Sequence, residues 1–209
     1  VFYNCKSLLK INIPDSLESI NWEIIKGCSS LKKIVLSKKM TNIGAWAFKG
    51  FTSLQEIVIP NSITRLDNSA FQGCTSLQIV DIPNGVISIG DHAFNGCTSM
   101  QNIYIPHSVK DIGSFAFAGC TSLHNVNISN GVTCINPYAF YGCSSLQQIS
   151  IPKSVKEIGT RAFEGTKWHE SQHDDYVFIN ELLYRYNGKD ECVDIPNGII
   201  TICGSAFEN

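Results

Sequence analysis

The segment from His169 to His173, His-Glu-Ser-Gln-His, has residue types at a spacing that could do chemistry. On a helix, H-E-x-x-H places both histidines on one face, where they bind zinc and the glutamate serves as a general base. Glu181 or Asp190 could supply a third ligand. The motif therefore predicts, as one alternative, a metal-dependent hydrolase that uses residues 169–173.

The residues around this motif favour a solvated loop instead. The segment is short and polar, and it continues into Asp174 and Asp175. Asp174 also places a charge after the second histidine, where proteases with this motif usually carry an uncharged residue. Adventitious metal binding is a third alternative. The chain has no Walker loop, G-x-G-x-x-G or G-x-S-x-G motif, so we expect no enzyme activity and no cofactor or metal.

The elements that must position this segment are repeats with a period of 23 residues. Most repeats begin with a cysteine, which Phe51 replaces in one of them, and have apolar residues three, six and eight positions later. Most close with Ala-Phe-x-Gly. The cysteines on this grid are Cys5, Cys28, Cys74, Cys97, Cys120 and Cys143. The phenylalanines are Phe48, Phe71, Phe94, Phe117, Phe140 and Phe163. A fixed period of 20 to 50 residues indicates a solenoid or an array.

The spacing within one repeat predicts which kind of solenoid forms. Two apolar residues lie two apart, which is the period of a strand with one buried face. A proline or another turn residue then ends the strand. One coil buries only a thin apolar stripe, so it needs stacked neighbours to complete a core. Stacking sets parallel strands side by side at about 4.8 Å.

The nine cysteines are odd in number, and six of them lie on the repeat grid. Stacked grid cysteines would lie at about 5 Å, near the separation that a disulfide needs, but their Cβ vectors should point the same way. We therefore expect a packing ladder rather than disulfides. Cys134, Cys192 and Cys203 lie off the grid, and the close pairs typical of zinc sites are missing.

The repeat unit C-T-S-L-x-x-I-x-I-P-x-S-V-x-x-I-G-x-x-A-F-x-G closely resembles the BspA-like leucine-rich repeats, also called the Treponema pallidum type, over residues 2–165. The resemblance implies a leucine-rich-repeat solenoid, a right-handed, β-rich superhelix of stacked coils with parallel sheets. Such proteins are surface-exposed in bacteria and in some parasitic protists, and several are implicated in adhesion to host proteins or other cells. The resemblance thus implies a cell-surface or secreted, non-catalytic interaction module.

The repeat is interrupted once, and we expect a single domain over residues 1–209. Strands are predicted at 176–180 and 182–186, and Asn187-Gly188 is a turn dipeptide. The repeat resumes at Val193-Asp194-Ile195-Pro196. The predicted parts are regular repeats at 1–165, a modified coil with a β-hairpin at 166–190 and a resumed repeat at 191–209.

Composition and hydropathy indicate the broad class of protein to which the chain belongs. The 209 residues are 44% hydrophobic and 16% charged with a net charge of −2, which is typical of a globular protein with a sizeable core. No apolar run is long enough to span a membrane, and the first residues do not form a signal peptide. Val1-Phe2 and Ala206-Phe207 fall in mid-repeat, which predicts a fragment of a longer array.

Two columns of outward residues are candidate binding surfaces. Strand alternation places Asn102, Tyr104, Asn125 and Asn127 on the face of the first sheet, where solenoids commonly bind. A second column, at the corner before Ala-Phe, contains Trp46, Phe115 and Tyr138, and exposed aromatics are frequent at interfaces.

These columns predict a protein or glycan partner, including a host extracellular protein. Neither column is basic, so nucleic acid is not expected. Three alternatives remain: a plain solvated sheet face, aromatics that fold back over the core, and a structural spacer that binds nothing.

Overall fold

The chain winds into a parallel β-solenoid in a computed structural model that describes residues 2, 4–18, 23 and 25–208. The predicted repeat positions of Val1 and Ile24 lie outside these residues. Paired strands in successive coils are offset by one period of 23 residues, as in the pairs Ile11–Ile34 and Val126–Ile149. The predicted leucine-rich-repeat solenoid is therefore confirmed.

The first sheet contains one strand from each regular coil, and its alternation buries every second side chain. It is divided into two parts. The first part has the order β1 (Lys10–Asn12), β2 (Lys33–Val35), β4 (Glu56–Val58) and β6 (Ile79–Val80). The second part contains β8 (Asn102–Ile105), β10 (Asn125–Ile128) and β12 (Gln148–Ser150).

The division was not expected, because the regular repeat predicts an unbroken sheet. Strand β6 ends at Val80, whereas the other strands of this sheet include the position that Asp81 occupies in its coil. Aspartate is disfavoured in strands, so a shortened β6 is the physical reason that we assign to the division.

The second sheet is continuous through six coils and lies on the other wall of the solenoid. All its strands are two residues long and parallel. They are β3 (Asn42–Ile43), β5 (Arg65–Leu66), β7 (Ser88–Ile89), β9 (Asp111–Ile112), β11 (Cys134–Ile135) and β13 (Glu157–Ile158).

Between the two sheets, the grid phenylalanines form a buried ladder. Consecutive rings from Phe48 to Phe163 stack at centroid distances between 5.0 and 5.5 Å. The ladder ends against Trp168 and Tyr184, whose rings meet Phe163 edge-on at 5.2 and 6.0 Å. The aromatic residues of the modified coil thus close one end of the core.

Five of the six grid cysteines, at 28, 74, 97, 120 and 143, are buried as thiols, in agreement with the packing ladder, whereas Cys5 in the first coil is exposed. Each Sγ lies within hydrogen-bonding distance of a phenylalanine carbonyl 26 residues earlier, for example Cys74 to the Phe48 oxygen at 3.0 Å. Burial raises the pKa of Cys74 to about 12. Off the grid, Cys203 is buried, Cys134 is half-buried and Cys192 is exposed.

The modified coil contains a short helix and an antiparallel hairpin. The elements are α1 (Lys167–Glu170), β14 (Tyr176–Ile179), β15 (Leu182–Tyr186) and, beyond the hairpin, β16 (Thr201–Ile202), which pairs in parallel with β15. The hairpin turns at Asn180 and Glu181, where Asn180 has a φ of 55°. This agrees with the predicted strands at 176–180 and 182–186, whereas the predicted turn dipeptide Asn187-Gly188 follows β15 and forms no turn.

The resumed repeat differs from the sequence expectation in its first half. Residues 193–196 form no strand, and Asp194 does not continue the first-sheet column. Ile195, expected inside, is exposed because no paired strand covers it. In the part of the chain that the structure describes, no helix has the length and hydropathy that a membrane span requires.

Candidate functional site

His169 is held by two side chains of the hairpin. Its Nδ1 lies 2.6 Å from the Tyr184 hydroxyl, and its Nε2 lies 3.1 Å from a guanidinium nitrogen of Arg185. A guanidinium can only donate, so Nε2 accepts, and the neutral ring carries its proton on Nδ1, which donates to Tyr184. His169 is therefore a half-buried structural residue, not the solvated loop residue that we expected.

This geometry does not fit a zinc-dependent hydrolase. Helix α1 has only four residues and ends before His173, so the two histidines do not share a helix face. The Nε2 lone pair of His169, which a metal would need, accepts from Arg185. Among the described residues, no group of three or more His, Cys, Asp or Glu is arranged to hold a metal ion. Glu181 and Asp190 bind elsewhere, to Lys156 and Tyr186 respectively.

On the first sheet, the structure brings together the four side chains that alternation predicted. Asn102, Tyr104, Asn125 and Asn127 all line one shallow groove. The Asn125 amide donates to the Asn102 side-chain oxygen at 3.0 Å, so amides of adjacent coils form a ladder. We call this the first-sheet groove, and its remaining lining residues are Gln78, Ile79, Val80, Asp81, Gln101 and Ile103.

Two apolar residues extend this surface beyond the predicted set. Ile79 in the groove is 65% exposed and Val58 on the preceding coil is 54% exposed, while Tyr104 is 51% exposed. Both occupy outward positions of their strands, where β-branched residues are common. Ile79 lines the groove together with Tyr104 of the next coil, and Val58 lies on the coil before Ile79.

The corner column is more buried than a free aromatic surface would be. The rings of His92, Phe115 and Tyr138 stack in parallel at 4.9 and 4.6 Å, which leaves each half-covered by its neighbours. Trp46 is exposed and lies three coils from Phe115, with Ser69 and His92 at the intervening positions. Of the predicted site residues in this column, Phe115 and Tyr138 are therefore in contact, whereas Trp46 lies apart from them. All three lie in a column separate from the first-sheet groove.

Every residue of the corner column has a positive φ, from 54° to 59°. This left-handed backbone is costly for a side chain that is not glycine, by about 1 kcal/mol or more at each residue. The strain repeats in six coils, at Trp46, Ser69, His92, Phe115, Tyr138 and Arg161. The corner is thus a regular structural feature of the coil and not a special feature of the three aromatics.

Comparisons with known proteins agree with this architecture. The model of the BspA type leucine-rich repeat region matches in six copies, over residues 1–86 and 67–187. No curated protein matches the chain significantly in sequence.

Several solved structures share the fold. The leucine-rich repeat protein of Treponema pallidum is 29% identical, with a TM-score of 0.72, over 77% of this chain and 78% of that one. A leucine-rich repeat protein of Eubacterium ventriosum is 27% identical, with a TM-score of 0.70, over 76% of this chain and 43% of that one.

A leucine rich cell surface protein of Faecalibacterium prausnitzii is 23% identical, with a TM-score of 0.62, over 95% of this chain and 62% of that one, which shows the fold alone. The chain thus spans less than two thirds of the last two relatives. With the family model matching most of its length, the chain belongs to the BspA type leucine-rich repeat family.

Proposed function

We propose that the chain is a non-catalytic binding module of a cell-surface protein, which mediates adhesion by holding a protein or glycan on the first sheet. The observation that carries the proposal is the convergence of Tyr104, Asn102, Asn125 and Asn127 on one groove. Solenoids commonly bind along an extended sheet face, because neighbouring coils present a wide surface with little rearrangement.

Exposed apolar side chains support a binding site on the same face of the first sheet. Val58, Ile79 and Tyr104 are each more than half exposed on nearby strands, and exposed apolar patches mark interaction sites. Tyrosine is in addition one of the residues that contribute most binding energy at interfaces. The cell-surface location is supported by the family and by the fold that the chain shares with the surface protein of Faecalibacterium prausnitzii.

The binding proposal is tested with a matched pair of variants. Ile79→Ala alters the groove, whereas Ile87→Ala removes another isoleucine that is more than half exposed, beside the second sheet. The purified chain, coupled to beads, is presented to extracellular-matrix proteins, to arrayed glycans and to intact cells. We expect Tyr104→Ala and Ile79→Ala to abolish capture, and Ile87→Ala to leave it unchanged.

Two outcomes would contradict the proposal. If no ligand on any of the three panels is captured, the spacer interpretation is favoured. If the groove variants bind as well as the unaltered chain, binding does not use the first sheet. Location is tested separately with antibodies against the chain, which should label intact, unpermeabilised cells of the source.

A further inference from the structure

The first-sheet groove lies at an open seam between two coils. Elsewhere along the first sheet, a backbone amide donates a hydrogen bond to a carbonyl of the preceding coil. Examples are Gln55 to Lys32 at 2.9 Å and His124 to Gln101 at 2.8 Å. In the described part of the chain, no such bond joins Gln101 to Gln78, and β6 does not pair with β8.

Behind this seam the same two coils remain tightly stacked. Strands β7 and β9 are paired, and the rings of Phe94 and Phe117 stack at 5.3 Å. The solenoid is therefore continuous, and between these two coils only its first sheet is interrupted. The peptide groups of Gln78 and Gln101 therefore do not bond to each other as the corresponding groups of the other coils do, and both residues line the groove.

The side chains that line the groove are rich in amides and contain no cation. Its amide residues are Gln78, Gln101, Asn102, Asn125 and Asn127. Each amide both donates and accepts hydrogen bonds, which matches the dual character of a sugar hydroxyl. Asp81 adds a carboxylate acceptor, and no Lys, Arg or His lines the groove. Phosphate, sulfate or carboxylate groups on a ligand would thus meet no positive partner.

Tyr104 and Ile79 supply the apolar part of the groove. An aromatic ring that is half exposed beside polar groups offers a flat face for the C–H side of a sugar ring, and its hydroxyl adds a hydrogen bond. Asn102 and Asn125 occupy the same slot on adjacent strands about 4.8 Å apart, so neighbouring sugars of a chain can each contact one of these two amides.

From these observations we infer that the first-sheet groove binds an uncharged glycan chain. The inference rests on the proposed binding function and names its ligand class. A protein segment is disfavoured as the occupant, because Ile79 and Tyr104 are the exposed large apolar residues of the groove, whereas five of its ten lining residues carry amides.

The test uses the whole chain on an array of neutral, sialylated and sulfated oligosaccharides, followed by calorimetry with the neutral glycan that binds best. We expect neutral glycans to bind and Tyr104→Ala to weaken them by more than about tenfold, since a stacking anchor is lost. Tyr104→Phe keeps the ring and should weaken binding by only about threefold. Asn125→Ala should also weaken it, while Ile87→Ala should not. Thermal unfolding of each variant confirms that the fold is intact.

The outcomes separate the ligand class from the binding function. Capture of a protein that survives its enzymatic deglycosylation, but is lost in Tyr104→Ala, would overturn the glycan and keep the binding module. A preference for sulfated or sialylated glycans would also overturn the inference. If no array glycan, protein or cell is bound, both the ligand class and the proposed function fail.

Discussion

The guanidinium of Arg185 donates a hydrogen bond to Nε2 of His169 at 3.1 Å, and this contact joins the hairpin to helix α1 within the modified coil. His169 lies on α1, whose N-cap Thr166 comes three residues after Phe163 of the core ladder. The H-E-x-x-H motif, which resembles a metal site in the sequence, thus holds the hairpin against α1 in the fold. The contact depends on a neutral imidazole, so it is sensitive to pH.

We predict that acid weakens this attachment. Burial lowers the pKa of His169 in the fold, and the positive charge of Arg185 lowers it further by a smaller amount. The negative charges of Glu164 and Glu170 raise it, but by less. The unfolded chain therefore takes up this proton at a higher pH than the folded one. The stability that His169 contributes is complete above a pH of about 6.5 and is lost as the pH falls from there towards the folded pKa.

The measurement is the thermal unfolding midpoint between pH 8 and pH 5. The unaltered chain should lose stability more steeply than His169→Gln, whose amide stays neutral. His173→Gln, at an exposed position, is the control and should follow the unaltered chain. Parallel curves for all three proteins would show that His169 is not the sensor.

The cap of α1 gives a second prediction. The buried Thr166 hydroxyl accepts from the His169 amide at 3.0 Å and donates to the Phe163 carbonyl at 2.7 Å. Thr166→Ala should lower the free energy of unfolding by about 0.5–2 kcal/mol, because it removes the N-cap. Thr166→Ser keeps the hydroxyl and should retain most of that stability in urea unfolding. Equal losses in the two variants would mean that the cap bonds do not matter.

Ile87 and Ile89 offer a matched test of the core. They lie two residues apart, yet Ile87 is 52% exposed and Ile89 is 2% exposed. Ile89→Ala should reduce the free energy of unfolding by about 2–5 kcal/mol, since it leaves a cavity in the stack. Ile87→Ala should change it by at most about 0.5 kcal/mol in the same urea titration. Similar losses at both positions would refute the register of β7.

Thiol labelling tests the cysteine ladder. In the folded chain, Cys74 is buried with a pKa of about 12, whereas Cys192 is exposed. Iodoacetamide at pH 8 should therefore modify Cys192 within minutes and Cys74 only after denaturation, because the thiolate is the reactive form. Peptide mass spectrometry assigns the sites, and a denatured sample shows that both can react. Labelling of Cys74 in the folded chain at the rate of Cys192 would contradict the packing.

Much of the fold was predictable because it is periodic. The grid placed Phe94 and Cys97 inside and Tyr104 outside, and these positions agree with the structure. Strand alternation also placed Asn102 and Asn125 side by side, since the same slot recurs in each coil. Each such position depends only on local spacing, repeated until the pattern is unambiguous.

The structural predictions were wrong where the regular repeat is interrupted. Val193–Pro196 matched the repeat but forms no strand, and the dipeptide Asn187-Gly188 forms no turn. His169 appeared as a loop residue because its partners, Tyr184 and Arg185, come from the hairpin. These contacts join segments whose relative placement no spacing rule specifies.

By itself, the sequence determined the solenoid, its step and its core ladder, because a repeated apolar pattern can be buried only by stacking one coil on the next. The tertiary structure alone decided that the first sheet is interrupted between β6 and β8, and that His169 of the H-E-x-x-H motif binds Arg185. Both depend on contacts between segments with different sequences, which the spacing of residues does not specify. The role of the H-E-x-x-H histidine therefore follows from the side chains that the fold places beside it.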